Sequence, residues 1–469
     1  MASIVKAPRI GLEFTLGSAH EKYAQVHRVS PLLTAPIVPT LARLAAPGIV
    51  LALFQTAVSV ADTYFVGQLG TDAIAGLALV FPMLMLLQMT SAGAMGGGVS
   101  SAVARALGAG NPDMARKLVV HGLVIALGCG LVFTLLLLGA GRGLYGLLGG
   151  RGEALEQALA YSHLLFSGAV LVWLANTLAS LMRGSGNTFA PAFTFAGMAL
   201  LQIPLSGALT LGWGPFPRLG ISGAAASYVI SSALSSLVLA AWLWNSALRP
   251  QRAQWRLEGR LFREILRVGA ISSINAFQTV LTAVILTGFV ARFGTAALAG
   301  YGLGVRLELL LVPIVFAIAQ ALVIMVGTNI GAGQGVRAKR IAWIGTAAAM
   351  LVCLVIGWSV ALYPSLWIHI FTHDDAVIEV GSLYMRIVAP LYPLFGAGMA
   401  LYFASQGSGQ MRRPVLVGTT RLVLVVSGGA LVMQYGGPLA ALFAVISFGL
   451  TVFGGLTIYV VYKARWSRD

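Results

Sequence analysis

Apolar runs longer than about 18 residues, the length an α-helix needs to cross hydrocarbon, recur along nearly the whole of this 469-residue chain. A segment inside a bilayer must satisfy its own backbone hydrogen bonds, which leaves only helices or closed barrels. Barrel strands would be short and alternating, and these runs are neither. Composition agrees: 58% of residues are hydrophobic and 9% charged, against about 25% charged in a soluble domain. The chain reads as an all-α polytopic membrane protein. Twelve transmembrane spans are predicted, at roughly 41–66, 73–104, 117–148, 154–182, 187–212, 219–247, 266–291, 296–329, 341–371, 380–405, 414–434 and 438–462.

A net charge of +16 could suggest nucleic acid, but its distribution argues against that partner. Of the 30 Lys and Arg, 23 fall in the N-terminal segment, the even-numbered loops and the C-terminal tail. Arg142, Arg151, Arg218 and Arg292 fall on the other side, and Arg306, Arg386 and Arg421 lie within or beside spans. Cytoplasmic loops carry such an excess, so both termini are expected in the cytoplasm. The first 40 residues are polar and mixed in charge, without the short apolar core and small-residue site of a cleaved signal peptide. Cys129 and Cys353 lie in apolar spans with no thiol or ligand set beside them, so buried packing is the expectation for both.

The longest polar interruption, "RPQRAQWRLEGRLFREILR" (249–267), carries six arginines and follows the sixth span. The expected organisation is a cytoplasmic extension over 1–40, an N-lobe over 41–248, a linker over 249–265, a C-lobe over 266–462 and a cytoplasmic tail over 463–469. The halves repeat one another. "FVGQLGTDAIAG" (65–76) matches "FVARFGTAALAG" (289–300) at seven of twelve positions. "LGAGNPDMARKL" (107–118) matches "IGAGQGVRAKRI" (330–341), and "RGSGNTFAPAF" (183–193) echoes "QGSGQMRRPVL" (406–416). Each half has an even number of spans, so both enter the membrane in one orientation. This parallel 6+6 repeat, common among transporters, suggests a monomer whose two lobes rock around a central cavity.

Of fourteen acids, only Asp62 and Glu308 lie well inside predicted spans. Intramembrane acids usually face a cavity and mark ion or proton routes. For Asp62 the plainer alternative is a carboxylate tucked near the outer interface, about one turn from the predicted helix end. Glu308 follows Arg306 by two positions, so the two point to nearly opposite helix faces and each meets a different neighbour. A coupling role and structural pairing both remain open for them, with structural pairing favoured. Pro47 removes a backbone hydrogen bond within the first span and is a candidate hinge, or else a proline tolerated in the first turns. His121 and His163 read as satisfied core or interfacial residues, and "HIFTHDD" (369–375) falls at an outward loop, so no metal site is expected. No P-loop, HExxH, GxSxG or CxxC pattern occurs. Transport would then draw on an ion gradient or on the substrate's own.

With "ADTYFVGQLG", "RGSGNT", "LGISGAAASYVIS", "VGTNIGAGQGVRAKR", "FASQGSGQ" and Arg421 in place, the chain resembles the multidrug and toxic compound extrusion (MATE) family, DinF-like branch, over about residues 41–462. The resemblance implies a V-shaped cavity between the lobes and export coupled to H⁺ or Na⁺ entry. It also implies an N-lobe site of a span 1 Asp, a span 4 Tyr, an Asn and an Asp four apart in span 5, and a span 6 Thr. Asp62 and Tyr161 fit that set, while Gln202 and Ser206 replace the Asn–Asp pair and Tyr228 takes the Thr position. The second N-lobe carboxylate is thus missing. A Na⁺ site prefers several hard oxygens and net negative charge, whereas a proton needs one titratable group, so H⁺ is favoured over Na⁺.

The expected function is secondary active efflux of small organic, mainly cationic and amphipathic, compounds from a bacterial inner membrane, with no cofactor beyond the coupling ion. Small-molecule substrates and membrane lipids are the expected partners, and nucleic acid is not. A lipid-linked oligosaccharide flippase of the same superfamily is the alternative, although only Arg306, Arg386 and Arg421 offer it a basic cavity. A membrane-embedded transferase would need a cluster of acids or histidines at the cytoplasmic edge, and none is visible.

Overall fold

The computed structural model describes residues 31–466. Twelve helical spans follow one another: α1 Ile37–Gly67, α2 Thr71–Gly108, α3 Pro112–Leu147, α4 Gly152–Ser167 with Ala169–Gly184, α5 Phe189–Leu211, α6 Ile221–Trp244, α7 Gly259–Ala291, α8 Thr295–Gly331, α9 Gly335–Leu362, α10 Asp375–Ser408, α11 Arg412–Gln434 and α12 Leu439–Lys463. Most of the expected N-terminal extension and residues 467–469 of the expected tail lie outside the described residues. A short helix, Pro31–Thr34, precedes α1.

Helix ends follow local chemistry. Asn111 caps α3, its side chain accepting from the Met114 amide at 2.9 Å with Pro112 in the first turn. Asp374 caps α10 by accepting from Ala376 and Val377. The repeat is visible in the backbone too. Gly70 (φ 117°) and Gly294 (φ 102°) precede α2 and α8, and Gly186 (φ 89°) and Gly409 (φ 79°) precede α5 and α11. All four need the left-handed region that glycine alone enters without cost.

Three helices depart from regular geometry. In α2, Met89–Met95 forms a π turn, where the Thr90 and Ser91 hydroxyls bond back to the Leu86 and Leu87 carbonyls. The two segments of α4 bend by 50° across Gly168. A Cβ there would stand 2.5 Å from the Val229 side chain, so glycine lets α4 and α6 meet closely. Thr134 of α3 donates to the Phe166 carbonyl at 2.7 Å beside this break. α10 breaks at the corresponding place, in the 3₁₀ turn Ala389–Leu391, and Ser447 of α12 donates to the Ile387 carbonyl.

Each half has its own apolar core, but α1 and α7 belong to both. Ile37, Leu41, Leu44 and Ala45 at the start of α1 pack into the C-lobe core, whereas Val66 at its far end packs into the N-lobe core. Reciprocally, Leu261 and Ile265 at the start of α7 pack into the N-lobe core. The helix α7 thus begins at Gly259, inside the segment expected as linker, because its first turns are amphipathic and have an apolar face to bury. The same segment is tied to α3. The Glu258 amide donates to His121 Nε2 at 2.8 Å, and the His121 ring bonds the Lys117 carbonyl through Nδ1. Lys117 Nζ lies 2.5 Å from the Glu258 carboxylate and holds it below the usual carboxylate range. His121 is therefore a satisfied buried residue.

The lobes meet at the end that carries both described chain ends and the arginine-rich loops, called here the basic end. A Cβ on Gly98 of α2 would lie 2.8 Å from the Gly269 amide of α7, the close approach that small residues allow between membrane helices. Arg105 of α2 donates to the Gly407 carbonyl at 3.1 Å and stands 3.6 Å from Glu264. Gln406 reaches from α10 into the π turn of α2, donating to the Gly93 and Ala94 carbonyls at 3.1 and 3.0 Å and to Ser272 Oγ at 3.2 Å.

Candidate coupling site in the N-lobe

Asp62 sits on α1 five residues before Gly67, where that helix packs in the N-lobe. The Gln202 side-chain amide of α5 donates to its Oδ2 at 3.3 Å, while buried Oδ1 has no hydrogen-bond partner among the described residues. The Ser206 hydroxyl, one turn further along α5, lies beside the same carboxylate without making a hydrogen bond of ordinary geometry. Pro204 between them removes one backbone bond of α5. Tyr161 of α4 and Tyr228 of α6 are near enough to Asp62 to interact electrostatically. The structure thus brings the five N-lobe residues together, and no cationic side chain is among the groups acting on Asp62.

A polar chain leads away from this site. Gln88 of α2 donates to the Tyr228 hydroxyl, and Asn176 of α4 donates to Gln88 Oε1 at 3.3 Å and to Ser91 Oγ at 2.8 Å. It runs from the surroundings of Asp62 to the π turn. Gln88, Ser91 and Asn176 escape sequence reasoning, since single amides and hydroxyls in apolar helices show no diagnostic spacing.

Glu308 stands in a separate centre of the C-lobe. Its Oε1 accepts from the Tyr384 hydroxyl at 2.6 Å and from the Tyr392 hydroxyl at 3.2 Å, with Tyr301 and Arg421 close by. Arg306 turns away from it, its guanidinium 5.4 Å from the centre of the Phe371 ring. A signal for Tyr384 existed: the offset that carries Arg183 onto Gln406 carries Tyr161 onto Tyr384. Each lobe therefore sets a carboxylate against the same repeated tyrosine, but from helices that are not repeat partners. Hydrogen bonds to a charged group are each worth about 1.5–3 kcal/mol. Glu308→Gln is expected to lower stability by roughly 2 kcal/mol or more on that scale, read as an earlier melting transition and poorer expression. Unchanged melting with lost transport would assign Glu308 to coupling instead.

Pro47 lies ten residues into α1, well past the first turn, where α1 passes from the C-lobe core to the N-lobe core. Beside it, a Cβ on Gly48 would be 3.0 Å from Ala317 Cβ of α8. It is about 22 Å along the helix from Asp62 at ~1.5 Å per residue, so it does not line the same site.

The MatE family model matches twice, over residues 47–207 and 271–431, once in each half of the chain. Among curated proteins, the chain is 29% identical over 409 residues to the "FAD transporter" of Shewanella oneidensis, covering 84% of this chain and 88% of that protein. It is 26% identical over 387 residues to the "Probable multidrug resistance protein NorM" of Thermotoga maritima, covering 80% and 81%. Among solved structures, the outward-facing conformation of a multidrug resistance MATE family transporter aligns with a TM-score of 0.85 at 23% identity, over 92% of this chain and 96% of that one. Twelve membrane helices in two repeated lobes, matched by the family model across both, show that the chain is a multi-pass membrane transporter, not an enzyme, and belongs to the MatE family.

Proposed function

We propose that this transporter exports small organic compounds, cationic and amphipathic ones foremost, in exchange for protons, with Asp62 as the coupling carboxylate. One observation carries the reading. Asp62 is surrounded by neutral hydrogen-bonding groups, with one oxygen held by Gln202 and the other unpartnered. Amides and hydroxyls serve a carboxyl group in either protonation state, whereas a fixed cation would lock it ionised. A second carboxylate, which would favour Na⁺, is absent from the residues placed around it.

In this reading the basic end faces the cytoplasm of a bacterial inner membrane. A proton entering from the opposite end neutralises Asp62, α1 rearranges about Pro47, and substrate leaves outward. The lobes then part at the basic end, and the proton is discharged inward. Exchange requires proton and substrate to favour different states or to exclude one another.

A second reading has its own observation. The Shewanella relative is named an FAD transporter, and the C-lobe holds Arg421 near Glu308 without a direct ion pair between them. A half-buried guanidinium of that kind suits the diphosphate of an anionic dinucleotide.

Transport in everted membrane vesicles tests both. Uptake of a cationic dye is expected to follow an imposed pH gradient in Na⁺-free buffer. Dependence on millimolar Na⁺ with no response to the pH gradient would overturn proton coupling. Uptake of FAD with none of the dye would replace the first substrate class by the second.

A further inference from the structure

Outside the membrane core, one cavity gathers five cationic side chains. It has a volume of about 440 Å³ and lies at the basic end of the C-lobe, between the first turns of α7, the α10–α11 connection and the end of α12. Arg267, Arg412, Arg413, Lys463 and Arg465 line it, and no acid among the described residues does. Arg267, Arg412, Arg413 and Arg465 are exposed, and none of the five forms an ion pair among the described residues. Five cations gathered about one hollow repel one another, and a bound anion would relieve that repulsion. The other wall is apolar, with Ile271, Val460 and Trp466 on it. One further feature aims at an anion. Arg412 and Arg413 open the 23-residue helix α11, whose first backbone N–H groups point out of its N-terminus. Gln410, also lining the cavity, donates to the Arg465 carbonyl at 3.1 Å and closes the α10–α11 connection against the end of α12.

We propose that this cavity binds a phosphate-bearing anion. Two sources share that chemistry: the headgroup of an acidic phospholipid, whose chain would lie on the apolar wall, and a soluble polyphosphate. Basic pockets between helices at the cytoplasmic face are suited to lipid headgroups. The site adjoins the lobe contact, since Ser405 and Gly409 line it and Arg105 bonds the carbonyl of Gly407 between them. Occupancy would therefore brace the α10–α11 connection on which Arg105 closes. The inference is independent of the coupling ion and of the exported substrate.

The test measures melting of the purified full-length protein in neutral detergent, at matched ionic strength. The probes are dioctanoyl phosphatidylglycerol, dioctanoyl phosphatidylcholine and inorganic pyrophosphate. Two variants lose equal charge: R267Q/R412Q/R413Q in the cavity and R252Q/R256Q/R260Q in the linker region. Phosphatidylglycerol or pyrophosphate is expected to raise the melting temperature of the wild type and the linker variant, and phosphatidylcholine is not. The apparent Kd of the cavity variant should weaken about 100-fold, at roughly fivefold per cation removed. Stabilisation by phosphatidylglycerol alone assigns a lipid, and by pyrophosphate alone a soluble anion. Stabilisation by both supports the shared phosphate chemistry. If the triple variant fails to fold, R413Q alone should weaken binding about fivefold. No stabilisation of the wild type, or equal weakening in both triple variants, overturns the proposal.

Discussion

Asp62→Asn is expected to leave a folded, substrate-binding protein that no longer exchanges substrate for protons. Asparagine keeps the shape of the side chain, and its oxygen can still accept from Gln202, which now bonds Oδ2 at 3.3 Å. What it removes is the change of charge. If proton and substrate favour different states through Asp62, the substitution deletes their coupling free energy, which reaches about 3 kcal/mol in typical cases, or a factor of roughly 150. Efflux driven by a pH gradient should therefore fall by about two orders of magnitude. Binding of a fluorescent substrate in detergent should change little. Because Asp62 has no cation partner to strand, the variant should express and melt like the wild type. Normal gradient-driven efflux at normal expression would end the assignment.

Gly97→Val is expected to abolish transport by a different route, holding the basic end open. Gly97 of α2 is buried, and a Cβ there would fall on the Gln406 side-chain amide. That amide makes three cross-lobe or lobe-edge hydrogen bonds, to Gly93, Ala94 and Ser272. A valine must expel Gln406 before the lobes can close as they do here. At about 1 kcal/mol net per hydrogen bond, the closed state loses roughly 3 kcal/mol, enough to shift the equilibrium about 150-fold towards opening. Ser101, fully buried on α2 at the basic end, provides the readout once replaced by Cys in a background lacking Cys129 and Cys353. A membrane-impermeant maleimide applied to everted vesicles should label it at least ~10-fold faster when Gly97 is Val. Equal labelling with intact transport would show that Gln406 does not hold this contact.

The spans were legible because hydropathy over some 20 residues reports membrane crossing directly. The repeat was legible because glycines at turns and apolar seams leave matched strings such as "FVGQLGTDAIAG" and "FVARFGTAALAG". What hydropathy cannot carry is geometry within a crossing. The π turn at Met89–Met95 and the bend across Gly168 depend on side-chain hydroxyls and on the approach of Val229, partners remote in sequence. The exchange of the first turns of α1 and α7 between lobes is likewise a matter of long-range packing.

The candidate site divides in the same way. Asp62 stands out as an acid in an apolar run, and its companions came from the family resemblance, since Gln202, Ser206 and Tyr228 carry no signal of their own. Arg306 and Glu308 were legible as neighbours in sequence that part in space, one to Phe371 and the other to Tyr384 and Tyr392. Only the repeat offset could have named Tyr384. The amide chain through Gln88 and Asn176 needed the structure.

The most direct measurement is proton release on substrate binding to the purified protein, followed with a pH dye in weakly buffered, Na⁺-free detergent solution. The account predicts that wild type releases protons when a cationic substrate binds and that Asp62→Asn binds the same substrate without releasing any. Equal release by both proteins would contradict it, because the exchanged proton would then belong to another group.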